Sequence, residues 1–262
     1  MHVPGIRTKL TSMIDSGQTP LGAWITSSDP STSMILGSVG YDFLVIDDEH
    51  GVLGPRDILN HVRSAWATGI PALQRVGAND LRSIQRALDT GADGVIVPKV
   101  GTAEQAQRAV KASRYEPAGR GMCPVVPATT WSQDNWAEYV EIANREVTVV
   151  PLIETVEGVR NFAEIAAVDG IDFAFFGYAD LALDLGVDMY ADRAQLEPLW
   201  EEMKQIAAGA GVRLGMPLGS GLEGTTWGTA GSDLNLLRST ARDALLAARQ
   251  RYTPAGSSKG VG

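Results

Sequence analysis

Phe43-Leu44-Val45-Ile46-Asp47-Asp48-Glu49-His50-Gly51 decides how this chain is read. Four β-favouring apolar residues run without alternation into three acids, a histidine and a glycine, the pattern of a buried strand opening into a loop. Similar junctions recur at Leu73-Gln74-Arg75, Val95-Ile96-Val97-Pro98-Lys99, Val149-Val150-Pro151-Leu152-Ile153-Glu154 and Phe173-Ala174-Phe175-Phe176-Gly177-Tyr178-Ala179-Asp180. Ionisable groups placed repeatedly where strands stop build one polar site on one face of a sheet.

Outward from that stretch, strands are expected at residues 21–25, 71–75, 94–98, 147–153, 171–177, 213–217 and 232–237. Between them lie helical spacings: Ile58, Leu59, Val62, Ala65 and Trp66; Leu81, Ile84 and Leu88 behind a cap at Asn79 or Asp80; Ala103, Ala106 and Val110; Val159, Phe162, Ala163 and Ala166; Leu196, Leu199, Trp200, Met203 and Ala207. A short helix over 6–16 precedes the first strand, another lies near 30–38, and a final one covers about 239–251. Eight strands alternating with helices, several apolar on both faces, predict the α/β class and a (β/α)8 TIM barrel. The alternative, an open doubly wound sheet, lacks a Gly-x-Gly-x-x-Gly after the first strand. Residues 1–252 are expected to form a single barrel domain and 253–262 a disordered tail. The irregular stretch 115–135 is long enough to be a lid, a binding loop or an interface.

The 262 residues carry a formal charge of −9, which argues against a non-specific nucleic-acid binder. The single cysteine, Cys123, excludes an internal disulfide and fits a reducing compartment. The first twenty residues hold no apolar segment of the signal-peptide kind, and no run approaches the roughly 20 apolar residues of a membrane span, so a cytoplasmic protein without membrane attachment is expected.

In a barrel the strand ends and the loops after them carry the chemistry. Glu154 and Asp180 then end neighbouring strands, where two carboxylates suit one hard divalent cation; either alone could equally pair with an arginine. His50 follows the second strand and is able to exchange a proton near neutral pH, although a lone loop histidine is often inert. Arg75 ends the third strand, able to hold a carboxylate, stabilise an oxyanion or form a structural ion pair. Lys99 past the fourth strand is a rim cation or, if desolvated, an imine-forming amine.

Gly40-Tyr41-Asp42-Phe43 through Asp47-x-Glu49-His50-Gly51, Arg75, Leu88-Asp89-x-Gly91-Ala92, Ile153-Glu154 and Phe176-Gly-x-Ala179-Asp180-Leu181 together resemble the HpcH/HpaI aldolase family, from about residue 20 to 250. The resemblance implies a phosphoenolpyruvate/pyruvate-type barrel with an extra N-terminal helix and a C-terminal helix packing on a partner subunit, commonly in a hexamer. It implies a class II pyruvate aldolase, an aldehyde-lyase acting on 4-hydroxy-2-oxoacids, with pyruvate or oxaloacetate and an aldehyde as its small-molecule partners. One divalent ion, Mg2+, Mn2+ or Co2+, would be held by Glu154 and Asp180. His50 would act as base, Arg75 would stabilise the enolate, and the backbone at Ala179 would meet the pyruvate carboxylate. Asp89 matches the acid that raises the histidine's basicity, yet it precedes the fourth strand, at the far end of the barrel, so a neighbouring subunit would have to deliver it; Asp47 is the closer partner in sequence. Leu152 stands where the family usually has a substrate-contacting glutamine, Tyr178 where it has proline, and Lys99 where methionine is commoner. These departures leave room for a condensing or decarboxylating enzyme that starts from oxaloacetate. An inactive barrel serving as a binding protein is the reading outside catalysis.

Overall fold

The computed structural model describes residues 5–132 and 134–252, and in it eight parallel strands close into a barrel in sequence order. They are β1 (Leu21–Ile25), β2 (Phe43–Asp47), β3 (Ala72–Arg75), β4 (Gly94–Val97), β5 (Thr148–Ile153), β6 (Phe173–Phe176), β7 (Arg213–Pro217) and β8 (Trp227–Ser232). Helix α1 (Ile6–Asp15) precedes the barrel, and α2 (Ser31–Ser38), α3 (Pro55–Thr68), α4 (Leu81–Asp89) and α5 (Ala103–Ser113) follow the first four strands. The long connection to β5 ends in α6 (Trp136–Glu146). Then come α7 (Val156–Arg160) with α8 (Phe162–Ala166), α9 (Tyr178–Leu185) with α10 (Glu197–Ala210), and α11 (Asp233–Tyr252). The (β/α)8 expectation holds. No helix among the described residues is long and apolar enough to cross a membrane.

All five residues of β2 are buried, because each face of the strand has its own core. Phe43 and Val45 point into the barrel with Leu73, Ile96, Val150 and Phe175. Leu44 and Ile46 point outward against Ile58, Val62 and Ala65 of α3. Ile6 and Leu10 of α1 join the inner cluster, while Lys9 Nζ donates to the Asp42 carbonyl ahead of β2. Helix α1 therefore closes the end of the barrel where strands begin, leaving the other end open. The parallel register sets Asp47 beside Arg75 and Ile153 beside Phe176, so the acids and the arginine emerge together at that open end.

Five elements differ from the sequence reading. The eighth strand is Trp227–Ser232, not 232–237, and α11 starts at Asp233 rather than near 239. Trp227-Gly-Thr-Ala-Gly-Ser shows no apolar run because the single Trp227 fills the barrel's interior, packed on Phe43, Phe173 and Phe175 at 5.2–5.8 Å between ring centroids. Helix α6, unassigned from sequence, buries Tyr139 and Ala143. Helix α9 begins at Tyr178, where only a loop motif was read. The helix after β5 breaks at Asn161 into α7 and α8. The expected tail, 253–262, lies outside the described residues.

Candidate active site

Asp47 is the last residue of β2 and is 3% exposed. Its carboxylate accepts from Arg75 through two parallel bonds, Nε to Oδ1 at 2.8 Å and Nη2 to Oδ2 at 2.6 Å. The same carboxylate caps the turn behind it, accepting from the backbone N–H of Glu49 at 3.1 Å and of His50 at 3.2 Å. One acid thus fixes both the guanidinium plane and the path of the loop that presents His50. Two further groups hold Arg75. The ring of Trp24 lies 4.6 Å beneath its Cζ, and Glu49 Oε2 is 3.4 Å from Nη1. Trp24 is itself anchored by its Nε1–H bond to Thr229 on β8. Arg75 is therefore both a structural ion pair and a pre-oriented cation at the barrel mouth.

Glu154, just after β5, is 3% exposed, and its Oε1 accepts from the Lys99 N–H at 2.8 Å. That bond is available because Lys99 adopts a left-handed backbone at φ 53°, an unusual conformation for a residue with a side chain. Burial pushes the Glu154 carboxyl up to about 7, and the negative charges of Asp180 and Glu49 push the same way; the Lys99 N–H and Arg75 oppose them. Gly177 opens the space beside it, since a Cβ there would lie 2.7 Å from Glu154 Cβ. Asp180 sits in the first turn of α9, partly exposed, where the helix N-terminus favours an anion.

Because the folded-state carboxyl titrates above its ordinary 4.5, its protonated form stabilises the fold below that pH, and the contribution is lost as pH rises through about 7. At about 1.4 kcal/mol per tenfold, the gap sets an upper limit of about 3 kcal/mol. Metal-free Glu154→Gln protein should accordingly melt several degrees higher than the parent at pH 8 and within a degree of it at pH 5. Scanning calorimetry at the two pH values checks this, and a parent curve of equal Tm at both would contradict it.

The residues present fit a hard divalent cation. Glu154 and Asp180 offer oxygen donors only, and a bound cation would relieve the charge crowded at Glu154. Among the described residues no group of three or more His, Cys, Asp or Glu is arranged to hold a metal. A cation between two carboxylates would therefore draw its other ligands from water and substrate.

The structure brings Asp47, His50, Arg75, Glu154 and Asp180 to the mouth, each at the carboxyl end of its strand or in the turn that follows. His50 is exposed, tied by its backbone rather than by its ring. Leu152 is buried in the inner core directly below Glu154. Tyr178 is half-buried, its phenol raised first by burial and then by Tyr190, and Ala179 is exposed beside it. Asp89 is not brought to His50 within the chain. It ends α4, and its Oδ1 accepts from Nη2 and Nε of the buried Arg120 at 2.7 and 3.0 Å. Trp24 and Glu49 were not assigned roles from sequence. Glu49 lay inside the decisive stretch, whereas nothing local distinguishes Trp24 from a core tryptophan.

A sequence profile of the HpcH/HpaI aldolase/citrate lyase family matches residues 21–215. The chain is 36% identical over 250 residues to 2-dehydro-3,6-dideoxy-6-sulfogluconate aldolase of Pseudomonas putida, covering 92% of this chain and 97% of that protein. It is 35% identical to hydroxypyruvate/pyruvate aldolase of Sagittula stellata, over 71% of this chain and 72% of the relative. Among solved structures, an HpcH/HpaI aldolase/citrate lyase family protein from Burkholderia cenocepacia J2315 superposes with a TM-score of 0.82 at 30% identity, covering 92% of this chain and 98% of its own.

Proposed function

This chain belongs to the HpcH/HpaI aldolase/citrate lyase family and is an aldehyde-lyase, a pyruvate aldolase of that class; on that premise we propose that it cleaves and forms 4-hydroxy-2-oxoacids with a divalent cation held by Glu154 and Asp180. The observation that carries the reading is the pairing of a buried, charge-strained Glu154 with an Arg75 clamped flat by Asp47 and Trp24 in one mouth. The oxaloacetate-first reading is not favoured, since the curated relatives reported above carry aldolase names.

When bound, the cation supplies Lewis-acid polarisation of the 2-oxo group. The remaining steps belong to the chain's own residues. In cleavage His50 takes the proton of the C4 hydroxyl, the C3–C4 bond breaks, its electron pair becomes the pyruvate enolate, and the C4 fragment leaves as an aldehyde. A proton returned to the enolate carbon gives the methyl group of pyruvate. Arg75 faces the negative charge that develops on the oxygens; because Asp47 already fixes its plane, little side-chain order is lost in the act. The N–H groups at the start of α9, around Ala179, would receive the substrate carboxylate. Asp47, through the His50 N–H, holds the base's loop. Asp89 would act on His50 only if supplied by a neighbouring copy.

Two measurements test the assignment. Chelation should abolish pyruvate release from a 4-hydroxy-2-oxoacid, with recovery on adding Mg2+, Mn2+ or Co2+; activity that survives exhaustive chelation would overturn the metal role. His50→Ala should lower aldol cleavage by roughly 10²–10⁴-fold while leaving exchange of pyruvate methyl protons with solvent much less affected. Equal losses in both would remove His50 as base. A borohydride-trapped adduct with pyruvate would instead point to Lys99.

The reading includes a homo-oligomer. Among the residues of α11 only Asp233 is buried, while Leu237, Leu245, Leu246 and Tyr252 are between 49% and 75% exposed. A helix whose leucines are left open by its own barrel is the surface such an assembly would cover.

A further inference from the structure

Outside the mouth, the barrel wall is breached between α3 and α4. Helix α3 packs on α2 and α4 on α5, and a groove of about 510 Å3 separates the two pairs. Its floor is the outer face of β3, where a parallel barrel ordinarily carries an apolar side chain. Here that residue is Gln74, 3% exposed. Its Nε2 donates to Asp48 Oδ2 at 3.2 Å, and its Oε1 is buried with no partner among the described residues. An orphaned buried acceptor of this kind is costly and calls for an explanation.

Pro55, Ile58 and Pro127 give the lining an apolar part, and its charged groups are sorted by sign. Arg82 and Arg86, four residues apart on α4 and thus on one face, border the groove, both exposed and neither in a close ion pair among the described residues. Acceptors line it as well: the buried Gln74 Oε1 on the floor and the exposed Asp48 carboxylate. Partial burial raises the Asp48 carboxyl, which a hydroxyl donor would ease. Guanidinium forks match a carboxylate in two-point geometry, and carboxylate and amide oxygens match hydroxyl hydrogens. The volume suits a molecule of a handful of carbons.

We propose that the groove between α3 and α4 is a second ligand site that takes a small polyhydroxylated carboxylate, its acid end on Arg82 and Arg86 and its hydroxyls on Gln74 and Asp48. The site is separate from the aldol chemistry. The side chain of Asp48 faces the groove, whereas that of its neighbour Asp47 faces the mouth, so the two sites meet only through the backbone of one turn.

D-Gluconate titrated calorimetrically into the metal-loaded protein, and into Glu154→Ala protein, is the test. Saturable binding to one site per chain is expected in both. Arg86→Ala and Gln74→Leu should each weaken it at least tenfold, and D-gluconamide, with the same hydroxyls and no charge, should bind at least tenfold more weakly than D-gluconate. Arg86 is exposed, so its variant keeps the test valid even if Gln74→Leu folds poorly. Binding absent from the Glu154→Ala protein would place the sugar acid in the mouth and overturn the proposal. So would no saturable binding at all, an undiminished affinity in Arg86→Ala, or equal affinity for the amide.

Discussion

Glu154→Ala and Asp180→Ala are each expected to reduce metal-dependent kcat/KM by at least 10³-fold, the largest effects anywhere in the chain. On the proposed assignment each removes one of two protein donors to the cation, so the loss would be of the Lewis acid itself and not of a tuning contact. The two should differ in stability. Glu154 is buried and charge-strained, so its removal relieves desolvation at neutral pH while leaving the Lys99 N–H without its acceptor. Asp180 is partly exposed at the start of α9, and its loss should cost only the modest helix-terminal term of about 0.3–1 kcal/mol. A Mn2+ titration followed by electron paramagnetic resonance separates binding from turnover. Either variant retaining both tight Mn2+ binding and activity would exclude that residue from the metal site.

Arg75→Lys is the second large effect, about 10²–10³-fold in kcat, despite conserving charge. Lysine cannot reproduce the two parallel bonds to Asp47, nor lie flat on Trp24. Arg75→Met should cost more in stability, about 3–5 kcal/mol, because it strands a carboxylate that is 3% exposed. Combining it with Asp47→Asn should recover part of that stability but none of the activity, since the partner charge is gone but the proposed oxyanion donor is still missing. Thermal melts and steady-state kinetics on the four proteins read both. Full activity in Arg75→Lys would show that only a point charge is needed there.

The barrel was legible because its strands are buried on both faces and read as uninterrupted apolar runs, as Phe43 to Ile46 do. It was illegible at β8, where one tryptophan does the packing of several residues and the surrounding glycines resemble a loop. Glu154, Asp180, His50 and Arg75 stood out because charge at the end of an apolar run is a local signal. What each touches is not local. Asp47 meets Arg75 across 28 positions, and that contact depends on strand register, which no single segment encodes. Trp24 supports Arg75 from β1, two strands away, and is itself held across the closing seam by Thr229 of β8; its alternation alone marks it only as core. Gln74 shows the limit most clearly: inside an apolar strand it reads as an interruption, and only the gap between α3 and α4 gives it something to face.

Helix α11 has a further consequence for how the chain is handled in solution. Twenty residues leave the barrel with their first, Asp233, pinned by Thr26 and Ser27, and almost nothing beyond it is covered. In the proposed homo-oligomer, where another copy docks this helix, the folding equilibrium is bimolecular, so the midpoint of unfolding should climb by several degrees across a hundredfold rise in protein concentration. Deleting the chain from Leu237 onward should flatten that slope. A midpoint indifferent to dilution in the full chain would mean that α11 stands without company.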